Sequence, residues 1–146
     1  MPVGAGDADG LRAQILASDR ELNDVLNRLE STRNGRLIPA LLSELGLVLD
    51  RHFAHEEASQ GLFAIIVAHA PAHAEACRQL RSEHWHLRTN LSALVDEAGA
   101  SLVDVPLLEA SLGLARRLRD HERREKGLLV RALAHSANVA RSPPRD

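Results

Sequence analysis

Histidine and glutamate four residues apart recur at two places in this chain, His52 with Glu56 and His121 with Glu125. On an α-helix that spacing stacks the two side chains one turn apart, so each pair presents an imidazole and a carboxylate in the same direction. The flanking residues make that direction inward. Leu45, Leu49, Phe63 and Ile66 share the stripe of the first pair, and Ser111, Leu114, Leu118, Leu128 and Ala132 share that of the second. His84 lies in the same way among His73, Cys77, Leu80, Leu87, Leu91 and Leu94, and Asp19 among Ile15, Leu22, Leu26 and Leu29. Such groups are costly to bury without partners. Three imidazoles and three carboxylates converging inside a protein can hold two divalent cations, with the histidines terminal and the glutamates bridging. A bridging carboxylate has two oxygens, and its charge shields one cation from the other. Mixed nitrogen and oxygen donors at more than four positions favour iron or manganese over zinc, which prefers four ligands, and affinity order alone leaves copper open. The metal-free alternative is a buried polar network in which protonated histidines balance the carboxylates with help from Arg88.

Four rods must carry these groups. Asp7 or Asp9 is placed to cap a first helix running to about Thr32 along Leu11, Ile15, Leu22, Leu26 and Leu29. Asn34-Gly35 breaks it, and Pro39 suits the first turn of a second helix to about Ala68, with Gly46 and Gly61 weakening that helix without ending it. Pro71 starts the third helix, and Ala98-Gly99-Ala100 ends it. Asp104 caps the fourth, with Pro106 in its first turn. Four amphipathic helices of roughly 24 to 33 residues joined by short connections predict an all-α, up-down-up-down four-helix bundle. Residues 1–9 are expected as an N-terminal tail, 10–137 as the bundle, and 138–146 as a Pro-containing C-terminal tail. Every polar intruder falls at a similar depth along its helix.

Composition narrows the classes. The 146 residues are 45% hydrophobic, with no Tyr, two Phe and one Trp, so the core must be aliphatic, which favours helices. A net charge of −2 gives no general attraction to nucleic acid or to an anionic membrane. The single cysteine, Cys77, excludes an internal disulfide, and the longest apolar stretch, Leu62 to Ala68, is too short to span a bilayer. The start of the chain lacks both a basic region and an apolar run, so a cytoplasmic location is expected.

The joint pattern His-Phe-x-x-Glu-Glu (His52, Phe53, Glu56, Glu57), Glu-His (Glu83, His84) and His-Glu-x-x-Glu (His121, Glu122, Glu125) resembles the hemerythrin-like, or HHE cation-binding, domain over roughly residues 11 to 135. The resemblance implies a four-helix bundle around a non-haem di-iron centre that binds oxygen or reacts with peroxide or nitric oxide, some members serving in sensing or iron homeostasis. It makes His52, His84 and His121 terminal ligands, and Glu56 and Glu125 bridges. The chain departs from the family twice. Asp19 stands where the first helix normally supplies a histidine, and Arg88, four after His84, offers no second imidazole of the kind that oxygen-carrying hemerythrins have. A carboxylate in place of a histidine leaves the dimetal core one unit less positive, which stabilises the ferric pair and lowers its reduction potential. The expectation is therefore two iron ions, with manganese or zinc as alternatives, in a redox, sensing or iron-homeostasis protein and not a reversible oxygen carrier. Its partner would be a small diatomic molecule or peroxide. With no obvious nucleophile or general base in the chain, the metals would carry any chemistry. The rival is a non-catalytic interaction or sensor module whose degenerate site holds one cation or none.

Several residues carry bland readings beside these. Asp19 could merely accept hydrogen bonds, pairing with Asn23 or Arg20. His55, His69 and His73 read as polar packing near a turn ahead of a second metal site, Cys77 as a small core residue, and His86 and His135 as surface residues. Trp85 is either half-buried or a dimer contact. Arg116, Arg117, Arg119, Arg123, Arg124 and Lys126 form a solvated basic face, because no aromatics interleave for base stacking.

Overall fold

The computed structural model describes residues 5–100 and 102–141, with side chains from residue 13 to 139 apart from those at 14 and 15. The chain forms α1 (Ala5–Ser31), α2 (Ile38–Glu57), α3 (Leu62–His69), α4 (Ala74–Ala100) and α5 (Val105–Arg141), with short 3-10 turns at Gly35–Leu37 and Pro71–His73. No strand occurs among the described residues. Helix α1 packs on α2, α2 on α4, α4 on α5, and α5 back on α1, closing a four-helix bundle. The side chains of Leu11 and Ile15, expected on the inward stripe of α1, and the chain from Ser142 onward lie outside what is described.

Turn chemistry sets most of the breaks. The Asn34 side chain accepts the Arg36 N–H at 3.1 Å and opens the first 3-10 turn, after which Pro39 occupies the first turn of α2, where a missing N–H costs no ladder bond. Asp104 Oδ1 accepts the Leu107 N–H at 2.9 Å and its carbonyl accepts that of Leu108 at 3.0 Å, which starts α5.

Three boundaries differ from the sequence reading. Helix α5 runs to Arg141, so residues 138–141 of the expected C-terminal tail are helical. Helix α1 begins at Ala5, so Asp7 and Asp9 lie within it and neither is its cap; once a helix is nucleated, each added residue closes a further ladder bond. The second helix is not continuous through Gly61. It ends at Glu57, Ala58 is extended (ψ 158°), and a new helix begins at Leu62. Gly61 closes the break: its N–H donates to Ala58 O at 2.8 Å and its carbonyl accepts the Ile65 N–H at 3.1 Å. A Cβ there would overlap the carbonyl oxygen of His55 and lie 2.7 Å from that of Glu56, so only glycine lets the chain pass so close to the end of α2. The break turns α3 away to pack on α5 and α4.

The apolar interior falls into two parts. One joins Leu22, Val25, Leu26 and Leu29 of α1 to Ile38–Phe53 of α2, Leu87–Ala98 of α4 and Leu107–Leu118 of α5. The other joins Leu62, Phe63, Ile66 and Ala70 to Cys77, Leu80, Leu128 and Ala132. Along the chain, Glu56 falls between the two parts, as do His84 on α4 and His121 with Glu125 on α5, while His52 and Ser111 are buried within the stretch of the larger part.

Candidate metal centre

His52 and Glu56 occupy the last turns of α2, His84 the middle of α4, and His121 and Glu125 successive turns of α5; all five are buried. Their ligand atoms gather into two groups, each with its atoms within 4.8 Å of one another. One group is His84, His121 and Glu125; the other is His52, Glu56, Glu122 and Glu125. Glu125 belongs to both. His84 Nε2 lies 3.2 Å from Glu125 Oε1 and 3.5 Å from Glu56 Oε1, and His121 Nε2 touches the same Glu125 oxygen. His52 Nε2 lies 3.3 Å from Glu56 Oε1 and 2.8 Å from Glu122 Oε1.

All three imidazoles therefore turn Nε2 towards the carboxylates, and each rear nitrogen faces an oxygen from the preceding rod. Ser18 Oγ of α1 is 2.7 Å from His52 Nδ1, Glu57 Oε2 of α2 is 3.6 Å from His84 Nδ1, and Glu83 Oε2 of α4 is 3.7 Å from His121 Nδ1. Both outer carboxylates are held by arginine, Glu57 by Arg81 at 3.0 Å and Glu83 by a two-pronged contact with Arg124 at 2.6 and 2.8 Å. An oxygen behind the outer nitrogen orients the ring and makes its inner nitrogen a better donor to a metal. Both phenylalanines of the chain also pack against His84. Phe53 stacks flat on it and Phe63 lies with its centroid 5.5 Å away.

The electrostatics suit cations. Burial pushes the carboxyls of Glu56 and Glu125 above the usual range; contact with Glu125 adds to this for Glu56, and the charges of Glu122, Asp19 and Glu83 add to it for Glu125. Burial would lower His52, but Glu122, Glu56 and Asp19 outweigh it and lift the imidazole to about 9. Burial, with His121 and His52 nearby, presses His84 down to about 3, and burial lowers His121 as well. Two of the three histidines thus favour the neutral form that ligates metals. Arg88 does not assist the cluster; it is exposed and pairs with Asp50 at 3.1 Å. Arg88 therefore takes no part in balancing the buried carboxylates, and of the three histidines only His52 is shifted towards the protonated form. Glu56 Oε1, Glu125 Oε2 and His121 Nε2, which face the centre, are buried with no hydrogen-bond partner. Unpaired buried acceptors are expensive, and a divalent cation satisfies several at once. The residues fit a metal.

Asp19 is half-buried and lines a cavity of about 40 Å³ together with Ser18, His52, Glu56, Glu122 and Lys126, with Leu62 and Leu129 as its apolar wall. It supplies no atom to either ligand group. Burial and the charge of Glu122 raise its carboxyl above the ordinary value. Sequence reasoning left Glu122 and Ser18 out of the site. A second periodicity carries both: Leu118, Glu122, Glu125 and Leu129 step by four, three and four, as do Ser18, Leu22, Val25 and Leu29.

The remaining candidates supply no atom to either ligand group, although His55 lines the same cavity as Asp19. His55 and His69 are exposed and His73 is half-buried, and none joins a metal-capable group among the described residues. Cys77 is buried in the smaller core, and burial raises its thiol. His86, His135 and Trp85 are exposed, so Trp85 is not half-buried. The basic face of α5 is exposed for the most part, with Arg119 bonded to Asn23, Asn27 and Glu30 and Arg124 to Glu83 and Asp120. Among the described residues no helix is long and apolar enough to cross a membrane.

The model of the hemerythrin HHE cation-binding domain matches residues 11–137. No curated protein and no solved structure is significantly similar to the chain. The match spans all four rods of the bundle and every residue of both ligand groups, and on it the chain belongs to the hemerythrin HHE cation-binding domain family.

Proposed function

We propose that the buried cluster holds two iron ions side by side and that the protein uses them to bind or activate O2, peroxide or nitric oxide, in a redox, sensing or iron-homeostasis role and not as a reversible oxygen carrier. The observation that carries this is the sharing of Glu125 between two ligand groups, the arrangement a bridging carboxylate needs. His52, His84 and His121 would serve as the terminal ligands, and Glu56, whose Oε1 lies 3.3 Å from His52 Nε2 and 3.5 Å from His84 Nε2, as the second shared carboxylate. Iron would supply Lewis acidity and electrons. The chain's own contribution is to orient three imidazoles and to leave beside them a cavity of about 40 Å³, ample for one diatomic molecule. Leu62 and Leu129 give that cavity an apolar wall.

A set in which Glu56, Glu122 and Glu125 face three imidazoles is rich in negative charge, which favours the ferric state and works against reversible carriage. The test is anaerobic reconstitution with Fe(II). Close to two irons per chain, with ferric charge-transfer absorption developing on oxidation, supports the reading. One iron or none and a colourless solution support the rival, an interaction module with a degenerate site. A stable, reversible oxygen adduct would exclude the redox role.

A further inference from the structure

The two ligand groups differ in kind. His84 and His121 give one of them two nitrogens beside the shared Glu125, whereas the other has a single nitrogen, from His52, beside Glu56, Glu122 and Glu125. We propose that the two metal positions are chemically unequal and that Glu122 makes them so, as the terminal ligand that stands in for the donor α1 does not supply. The inference rests on the dimetal reading and deepens it.

The placement of α1 supports this. Its Asp19 lines the cavity without joining either group, and its closest contribution is the Ser18 hydroxyl behind His52, which fixes a ring and binds no ion. Glu122 is one residue past His121, so it points about 100° further round α5, away from the His84 group and into the His52 group. There its Oε1 meets His52 Nε2 at 2.8 Å, and its side chain is only 14% exposed. Two oxygens of this group, Glu56 Oε1 and Glu125 Oε2, are buried without a hydrogen-bond partner and so open to a cation.

Donor chemistry then ranks the positions. Imidazole raises affinity for Fe(II), Co(II) and Zn(II) relative to Mn(II), whereas carboxylate oxygens suit the harder Mn(II). The His84/His121 position fills first with Fe(II) or Co(II). The His52/Glu122 position fills second and discriminates less against Mn(II), so when both ions are supplied the centre loads with iron and manganese in a fixed order.

Cobalt reads this without any turnover. The full chain, stripped of metal, is titrated anaerobically with Co(II) and followed by visible absorption and calorimetry. Two steps are expected, separated at least about tenfold in Kd, as is usual when the donor set changes by one group. Glu122→Gln should weaken the second step by about tenfold or more and spare the first, whose survival shows that the variant is folded. Asp19→Asn should leave both steps in place, and Glu122→His should restore the second step while lowering its tolerance of Mn(II). Two unchanged steps in Glu122→Gln, or loss of the second step in Asp19→Asn instead, would overturn the assignment and leave the dimetal reading standing. A wild-type chain that takes up no Co(II) and no Fe(II) removes both.

Discussion

The ring of Phe53 lies flat on the imidazole of His84, their centroids 3.7 Å apart and their planes within 7° of parallel. Phe53 is fully buried on α2, one residue after His52, so the residue beside one histidine fixes the ring of another on a different helix. The stack excludes water from His84 and leaves rotation about its axis as the ring's main freedom, which Glu57 behind it then restricts.

Phe53→Ala should therefore act twice. Loss of a buried ring costs about 3–5 kcal/mol of folding stability. Phe53→Leu keeps most of the volume at about 1 kcal/mol and tests the second effect separately. It should weaken metal binding while the protein stays folded, as read by Co(II) titration beside urea unfolding. Unaltered affinity in Phe53→Leu would reduce the stack to core packing.

The outer carboxylates should tune both imidazole-rich contacts. Glu57→Gln and Glu83→Gln remove the charge behind His84 and His121 and take a carboxylate from Arg81 and from Arg124, which keeps Asp120, and each should lower affinity by about 10- to 100-fold with two metals still bound at saturation. Ser18→Ala should act on the His52 position alone. Calorimetric titration separates these outcomes from loss of a ligand, which lowers the stoichiometry.

Gly61→Ala is expected to destabilise the fold by about 2 kcal/mol or more, because the new methyl group would collide with backbone carbonyls that cannot swing aside. Those carbonyls belong to His55 and Glu56, so the displacement reaches the proposed second bridge and should lower metal occupancy too. Gly113→Ala, where a Cβ meets nothing within 4 Å, is the control and should stabilise α5 slightly. Thermal unfolding with and without metal checks both.

Metal-induced stabilisation should grow with pH. In the metal-free protein His52 is lifted from 6.5 to about 9, so its contribution is complete below 6.5 and disappears as pH rises through 9. The raised carboxyls of Glu56 and Glu125 act in the same sense, their protonated forms being increasingly hard to keep as pH rises above the ordinary 4.5. His84 and His121, lowered by burial, act in the opposite sense, but their contribution is already complete above 6.5. Between pH 6.5 and 8.5 the metal-free Tm should fall while bound metal, which displaces those protons, holds the fold. The gain in Tm on adding Co(II) should widen across this range, and a gain that is flat or shrinking would contradict the assigned protonation states.

What the sequence by itself determined follows from periodicity. Steps of three and four placed Leu80, His84, Leu87 and Leu91 on one face of a helix, and Leu114, Leu118, His121, Glu125 and Leu128 on another, and every one of these residues is buried. The four rods, the turn at Asn34 and the cap at Asp104 were legible for the same reason, since each depends on residues a few positions apart. Tertiary structure decided what depends on close approach between distant segments. Gly61 looked like a tolerable weak point in a helix until the chain folded back onto the carbonyls of His55 and Glu56. Asp19 lay on the apolar stripe of a helix without histidine and Glu122 beside the histidine-bearing stripe of α5, and only the rotation of α1 and α5 about their own axes set Glu122 against His52 while leaving Asp19 on the cavity wall. Periodicity fixes which way a side chain points from its own helix; it carries no information on how far each helix is turned towards its neighbours, and that turn chooses the ligands.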